Sequence, residues 1–323
     1  MMRLSAIAVA LTVAAALWVA SASHAQYPTK PIRLVVVIAP GGAPDVAARV
    51  MQPPLSERLG QPVVVENRAG SNGNIAGEFV ARSAADGYTV LFGADSLVAI
   101  NPHLYSKMAF DPLKDLAPVA TTILTQLILS VHPSLPVRNF RELLAFARKA
   151  SPPLNYASGG NGSQHHLSTE MLKQRAGINL VHIPYKSGSP AVAAAVVGEV
   201  PIVMAGTSSG PLVKAGKLRA IAVTGGERSK LFPEVPTIGE YFPGYQVNNW
   251  LGIWAPAGTP EPVIVRLRTE INRVLAMSEV KKRIGSVGGA ETWITTPEEF
   301  AAAIQRDYEK YGKLVKDIGA RID

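Results

Sequence analysis

The chain has 323 residues, 32 Lys and Arg against 24 Asp and Glu, a formal net charge of +8, and no cysteine. That length suits one large domain or two of ordinary size, and the missing cysteines exclude disulfides, thiol catalysis, thiolate metal sites and lipid attachment through an N-terminal cysteine. The basic residues are scattered rather than gathered into runs, so their excess reads as a solvated surface mildly favouring anionic ligands and not as a nucleic-acid footprint.

In chain order, Arg3 precedes an uncharged apolar run from Leu4 to Ala20 and then small residues ending Ser23-His24-Ala25. This is the pattern of a secretory signal cleaved after Ala25, too short in its apolar core for a spanning helix. The mature chain, Gln26 to Asp323, has no later apolar window of membrane-spanning length, and the expected location is the periplasm.

Short runs rich in β-branched residues then alternate with helix-period segments, the mark of parallel α/β units. Strands are expected at Ile32–Ala39, Gln61–Glu66 and Tyr88–Gly93, with a helix starting near Pro44 and another from about Asn74 to Ala84. Pro53-Pro54 predicts a kink or early stop in the first helix. A strand at Gln126–Val131 restarts the rhythm: helix Phe140–Ala150, strand Leu154–Ala157, helix Gln164–Arg175, strand Asn179–Tyr185, helix Pro190–Val197, and strands Ile202–Ala205 and Leu218–Thr224. Phe232–Gly244 is too rich in Pro and Gly for regular structure. Val247–Ala255 is extended, and helices follow at Pro260–Met277, Glu279–Ser286 and Pro297 to about Ile318. Breaks near 126 and 248 predict a middle domain inserted into an outer one: lobe 1 from 26–125 plus 250–323 and lobe 2 from 126–249, joined by two crossing strands as a hinge.

The strand-to-helix junctions carry most small polar residues: Ala39-Pro40-Gly41-Gly42-Ala43-Pro44-Asp45, Ala69-Gly70-Ser71-Asn72-Gly73-Asn74, Ser158-Gly159-Gly160-Asn161-Gly162-Ser163, Lys186-Ser187-Gly188-Ser189 and Gly206-Thr207-Ser208-Ser209-Gly210. In an open α/β sheet such junctions lie at the carboxyl ends of strands, where ligands bind. Glycine lets a ligand approach the backbone, and free N–H groups at helix starts attract anions. One such loop alone is ordinary turn and capping chemistry; five of them across both lobes predict a site.

Pro40-Gly41-Gly42 followed by Asp45-x-x-Ala48-Arg49, then Val65-Glu66-Asn67-Arg68, Gly73-Asn74-Ile75, Asp86-Gly87-Tyr88-Thr89 and Ile100-Asn101-Pro102 resemble the Bug family of periplasmic binding proteins, receptors of tripartite tricarboxylate transporters. The likeness continues through Gly160-Asn161-Gly162-Ser163, Ile183-Pro184-Tyr185-Lys186, Gly216-Lys217-Leu218-Arg219-Ala220 and Ala255-Pro256-Ala257-Gly258-Thr259-Pro260 to Thr296-Pro297-Glu298-Glu299-Phe300. The resemblance implies a two-lobed α/β periplasmic binding protein fold, type II-like, closing as a Venus flytrap on a carboxylate and delivering it to membrane transporter subunits. It implies Pro40, Gly41, Gly42, Asp45, Ser71, Asn72, Gly73 and Asn74 as the first-lobe grip, and Asn161, Gly162 and Ser163, with Tyr185 and Lys186 behind them, across the cleft. Gly198-Glu199-Val200-Pro201 and Ala205-Gly206 depart from the family pattern at a second-lobe loop, so a relative's ligand does not transfer.

Several single residues carry two readings each. Asp45 either binds the ligand side or caps the first helix; Asp95, with Ser96 beside it, reads a cationic group or makes a turn; Lys186 is a counter-charge for a second carboxylate or a surface lysine. Trp250 is a candidate to stack on a ligand, whereas Trp254 is read as core. Thr207 and Ser208 belong to the fifth loop. His165 and His166, adjacent on a helix, point about 100° apart and cannot share a metal, and no cofactor motif is present. Gly206-Thr207-Ser208-Ser209-Gly210 fits a nucleophile elbow, but every histidine precedes Ser208, the wrong order for an α/β-hydrolase triad. A receptor is therefore expected and not an enzyme, acting as a monomer; the alternative is a sensor that presents its ligand-closed form to a signalling partner. Substituting Asn161 or Ser163 is expected to weaken binding with little loss of stability.

Overall fold

The computed structural model describes residues 27–286 and 289–322; the expected signal at 1–25 lies outside the described residues. Strand β1 (Ile32–Val36) is followed by α1 (Ala43–Leu59), β2 (Val63–Asn67), α2 (Asn74–Ala81), β3 (Thr89–Ala94) and the short α3 (Asp95–Ala99) and α4 (Asn101–Leu104). A 16-residue strand, β4 (Leu116–Val131), leads to α5 (Phe140–Lys149), β5 (Leu154–Ser158), α6 (Gln164–Ala176), β6 (Leu180–Pro184), α7 (Gly188–Val196), β7 (Ile202–Gly206), α8 (Gly210–Lys214) and β8 (Arg219–Val223). The chain returns along β9 (Asn248–Pro256) and ends in α9 (Glu261–Ala276), α10 (Ser278–Ser286), β10 (Glu291–Thr292) and α11 (Pro297–Ile318).

The sheet order is β2-β1-β3-β9-β4-β7-β5-β6, with β10 and β8 also paired to β4. β1, β2 and β3 are parallel, as are β5, β6 and β7, while β4 and β9 run antiparallel to their neighbours. β1 is buried on both faces, as a parallel strand between helices must be: Val35 enters one core cluster while Ile32, Leu34 and Val36 enter the other beneath α1 and α9. On α9, Ile264, Leu267, Ile271, Val274 and Leu275 form the apolar stripe that packs there. The first of these clusters runs on without a break through Trp250 and Trp254 of β9 into Leu127, Phe140 and Leu167 of the second lobe. Among the described residues no helix is long and apolar enough to cross a membrane.

Two expectations are corrected. The sequence predicts only Gln126–Val131 as strand, yet pairing with β9 extends β4 back to Leu116, with register shifts at Pro118/Ala120, beside the proline that lacks a ladder donor, and at Thr121/Ile123. Pro53 and Pro54 neither stop nor divide α1, which continues as one helix through both to Leu59.

β4 serves as a ruler for the gap between the lobes. Ala94, at the carboxyl end of β3, faces Leu251, which faces Ile123 of β4; Gly206, at the carboxyl end of β7, faces Leu127. β3 and β7 run toward each other, so the loops that leave the two parallel sets converge across four residues of β4, roughly 13 Å.

Candidate functional site

The first-lobe loops are held rigid by side chains that the loops do not display. After β1, the Asp45 carboxylate is almost fully buried and accepts from the Gly41 amide at 2.9 Å, Asn67 Nδ2 at 2.8 Å and Arg49 Nε at 3.1 Å. Burial by itself would raise its pKa; the hydrogen bonds from Arg49, Gly41 and Asn67 outweigh that and leave it lowered. Asp45 thus ties the loop together, its capping reading, while Pro40 and Gly41 are exposed and Gly42 caps α1.

After β2, Ser71 (φ 47°) and Asn72 (φ 51°) adopt left-handed backbone between Gly70 (φ 135°) and Gly73 (φ 93°). Such strain persists only where the surroundings over-determine it. Asn101, fully buried, supplies the constraint: its Nδ2 donates to Asn72 O at 3.1 Å and Asn74 Oδ1 at 2.7 Å, and its Oδ1 accepts from Asn72 Nδ2 at 2.6 Å. Ser71 and Asn72 stay exposed, Gly73 is buried and Asn74 opens α2.

Asp95 and Ser96 are buried, Asp95 completely. Asp95 accepts from the Ser96 amide at 2.8 Å and, across the lobe junction, from Nε2 of Gln164 at the start of α6. Enclosed and engaged in this way, Asp95 does not present its carboxylate to the gap as the cationic-group reading expects. Trp250 is corrected likewise. It is 1% exposed, donates from Nε1 to Asp307 at 2.7 Å and packs against Trp254, Trp293 and Phe300 with ring centroids 5.7–6.0 Å apart. Trp250 and Trp254 are four residues apart on one strand and so share a face; the two-residue period groups them.

In the second lobe, Ser163 caps α6, accepting from the His166 amide at 3.2 Å and donating to Gly160 O at 2.7 Å. Its hydroxyl is structural, which revises the expectation that replacing it leaves stability intact. Gly162 is buried, whereas Asn161 is exposed and its side chain has no hydrogen bond among the described residues. His165 lies under both neighbouring loops: a Cβ on Gly159 would come within 2.8 Å of its Nδ1, and one on Gly188 within 3.0 Å of its Cε1. Burial pushes this imidazole down to about 4. Tyr185 donates its hydroxyl to Glu199 at 3.0 Å and rests on the Ala-rich core under α7, leaving Lys186 exposed beside it. After β7, Thr207 is buried, Ser209 donates to Gly206 O at 2.8 Å and Ser208 is exposed.

The arrangement brings Pro40–Gly42, Ser71–Asn74, Gly160–Ser163, Lys186 and Thr207–Ser208 to the facing carboxyl ends, and sets Asp95, Ser96 and Trp250 behind them. Asn101, Asn67 and Gln164 hold these loops without having been singled out from sequence; the only signal for Asn101 was its place between Ile100 and Pro102. Among the described residues no cluster of His, Asp or Glu is set to hold a metal ion.

The family model for the tripartite tricarboxylate transporter family receptor matches residues 47–320. Protein BugT of Bordetella pertussis is 35% identical over 328 residues, covering 100% of this chain and 99% of BugT. Among solved structures, R. palustris Rpa4515 with adipate is 34% identical with a TM-score of 0.83, covering 92% of this chain and 100% of that one. MatC from Rhodopseudomonas palustris with bound malate is 30% identical with a TM-score of 0.78, covering 90% and 100%. These similarities run through both lobes and the crossing strands alike, and the chain belongs to the tripartite tricarboxylate transporter receptor family.

Proposed function

We propose that this protein is an exported solute-binding receptor that captures a small carboxylate between its two lobes and delivers it to a tripartite tricarboxylate-type membrane transporter. The observation that carries this reading is the convergence of two loop sets across four residues of β4. Pro40–Gly42 and Ser71–Asn74 stand at the starts of α1 and α2, where the Ser71 and Asn72 amides are left for a ligand once Gly41, Gly42 and Gly73 have donated to Asp45, Ala39 O and Gly70 O; Asn161–Ser163, Thr207 and Ser208 face them, and Lys186 is the exposed cation for a second acidic group. Amides at helix starts bind carboxylates without a catalytic group. Adipate and malate in two relatives agree with a ligand of this size and charge. The lobes divide at 26–125 plus 250–323 and at 126–249, and the mature chain is a periplasmic monomer released after Ala25.

A thermal-shift screen of di- and tricarboxylates, acidic amino acids and aromatic acids tests the proposal. One carboxylate at a hundred times its Kd is expected to add about 2.7 kcal/mol of stability, a rise of several degrees in Tm. Stabilisation by an uncharged sugar or a metal ion alone would overturn it. Asn161→Ala is expected to weaken binding and leave the ligand-free Tm unchanged, whereas Ser163→Ala costs about 0.5–2 kcal/mol of stability through the lost cap; unaltered affinity in both removes this loop from the site.

A further inference from the structure

Behind the Gly160–Ser163 loop, two histidines from different elements stack face to face. The rings of His166 on α6 and His182 on β6 have centroids 4.1 Å apart at 14°, and Tyr156 of β5 stacks on the far side of His182 at 4.9 Å. Both imidazoles bond into the loop. His166 Nδ1 accepts from the Gly162 amide at 3.1 Å, and His182 Nε2 lies 2.6 Å from Ser158 Oγ, which accepts from the Gly160 amide at 3.1 Å. Because His166 Nδ1 is an acceptor, the neutral ring carries its proton on Nε2.

We propose that His166 is the positioning residue of the second-lobe ligand loop, holding it in shape only while its imidazole is neutral, so that the receptor loses its ligand on acidification. This rests on the carboxylate-receptor reading for its ligand and on the loop geometry for its mechanism. A proton added at Nδ1 faces the Gly162 N–H, so one hydrogen bond becomes a clash of two donors and the new charge lies against the stacked His182 ring.

Every charged or titratable group facing the pair has a fixed place. Glu170 on α6, engaged by Lys173 Nζ at 2.8 Å and by the Tyr156 hydroxyl at 2.6 Å, favours an imidazolium by its charge; Lys173 opposes it, and burial outweighs the carboxylate. Arg321, from the segment after α11, lines with Asn161, Glu170 and His166 a cavity of about 370 Å³, through which solvent protons reach the ring. Burial lowers the pKa of His166, and burial followed by the charge of His166 takes His182 down to about 4. His166 therefore stays neutral below the usual histidine value of about 6.5, and His182 down to about 4.

Two variants and two readouts test this. Asparagine places an acceptor oxygen near the position of Nδ1 and does not titrate, so His166→Asn preserves the loop at any pH, while His166→Phe removes the acceptor. With adipate or malate, whichever binds at about pH 7.5, His166→Asn is expected to match the wild type at that pH and to bind about tenfold more tightly than it near pH 4; His166→Phe loses about tenfold at both. Comparing proteins at one pH cancels the titration of the probe. The second readout is hydrogen exchange of the 158–166 segment in ligand-free protein, corrected for the intrinsic rate: acidification is expected to lower protection in the wild type and not in His166→Asn. Because it needs no ligand, it decides the loop mechanism even if no carboxylate binds. Identical pH profiles for wild type and His166→Asn in exchange, or full affinity in His166→Phe, would overturn the proposal.

Discussion

A carboxyl group with no solvent exposure sits where the two lobes touch. Burial raises the pKa of Asp95 well above the ordinary range, and the nearby Asp307 carboxylate adds to this; Lys310 and the amides of Ser96 and Trp250 oppose it without winning. The folded state therefore disfavours the ionised form. The resulting penalty is absent below the unfolded pKa of about 3.9 and grows as pH rises toward the folded value. Asp95→Asn removes the ionisable group while keeping the side chain's shape, and is expected to stabilise the protein at about pH 7.5 by about 1 kcal/mol or more, with no gain near pH 4. Thermal unfolding at the two pH values checks this; an equal effect at both means that ionisation is not the cause. At the same scale, the site residues divide by whether their polar atoms are already spent. Asp45, Ser163 and Tyr185 have their groups committed to the scaffold, whereas Ser71, Asn161, Lys186 and Ser208 remain exposed.

Helix α1 shows tertiary packing overriding local preference. Two prolines leave the carbonyls of Arg49 and Val50 without helical partners and cost about 3 kcal/mol each by propensity. Against this, Ala48, Met51, Leu55 and Leu59 are buried in one stripe beneath the sheet and α9, each large side chain contributing about 1.5–3 kcal/mol. Pro53 is exposed. Pro53→Ala is expected to stabilise the fold by about 1–2 kcal/mol, because the recovered hydrogen bond outweighs the entropy returned to the unfolded chain. Urea unfolding reads this directly, and a lower midpoint would show the proline to be favourable where it stands. The same contest explains β4: Pro118, which cannot donate to a ladder, argues against Leu116–Thr125 as a strand, and the stretch becomes one because β9 lies beside it.

For the whole molecule, β4, β9, the apolar cluster around Trp250, the Lys230–Glu291 ion pair and contacts such as Asp95 with Gln164 join lobes that otherwise carry their own parallel sheets. Hinge closure at such a junction is the expected response to a ligand bridging the two loop sets. Small-angle scattering should show the radius of gyration falling when a stabilising carboxylate is added. Gln164→Ala, lacking the amide that crosses to Asp95, should give a larger ligand-free radius than the wild type. Radii that do not respond to ligand would mean that the ligand binds to a preformed gap.

Local periodicity was enough to place most of the strands and helices and the glycine-rich loops between them, because burial on a sheet or a helix face imposes periods of two and 3.6 on the residues themselves. The ordered motifs likewise made the family legible. Which loop residues are free to meet a ligand was not legible, since an aspartate before a helix reads the same whether it faces solvent, as a ligand group would, or is tied down by Asn67 and Arg49. The burial of Asp95 and Trp250, the bracing of Ser71–Asn74 by Asn101 and the stacking of His166 on His182 join residues distant in sequence. Only the tertiary structure decides them, because a buried polar group must find its partners wherever the fold brings them, and no local pattern records that choice.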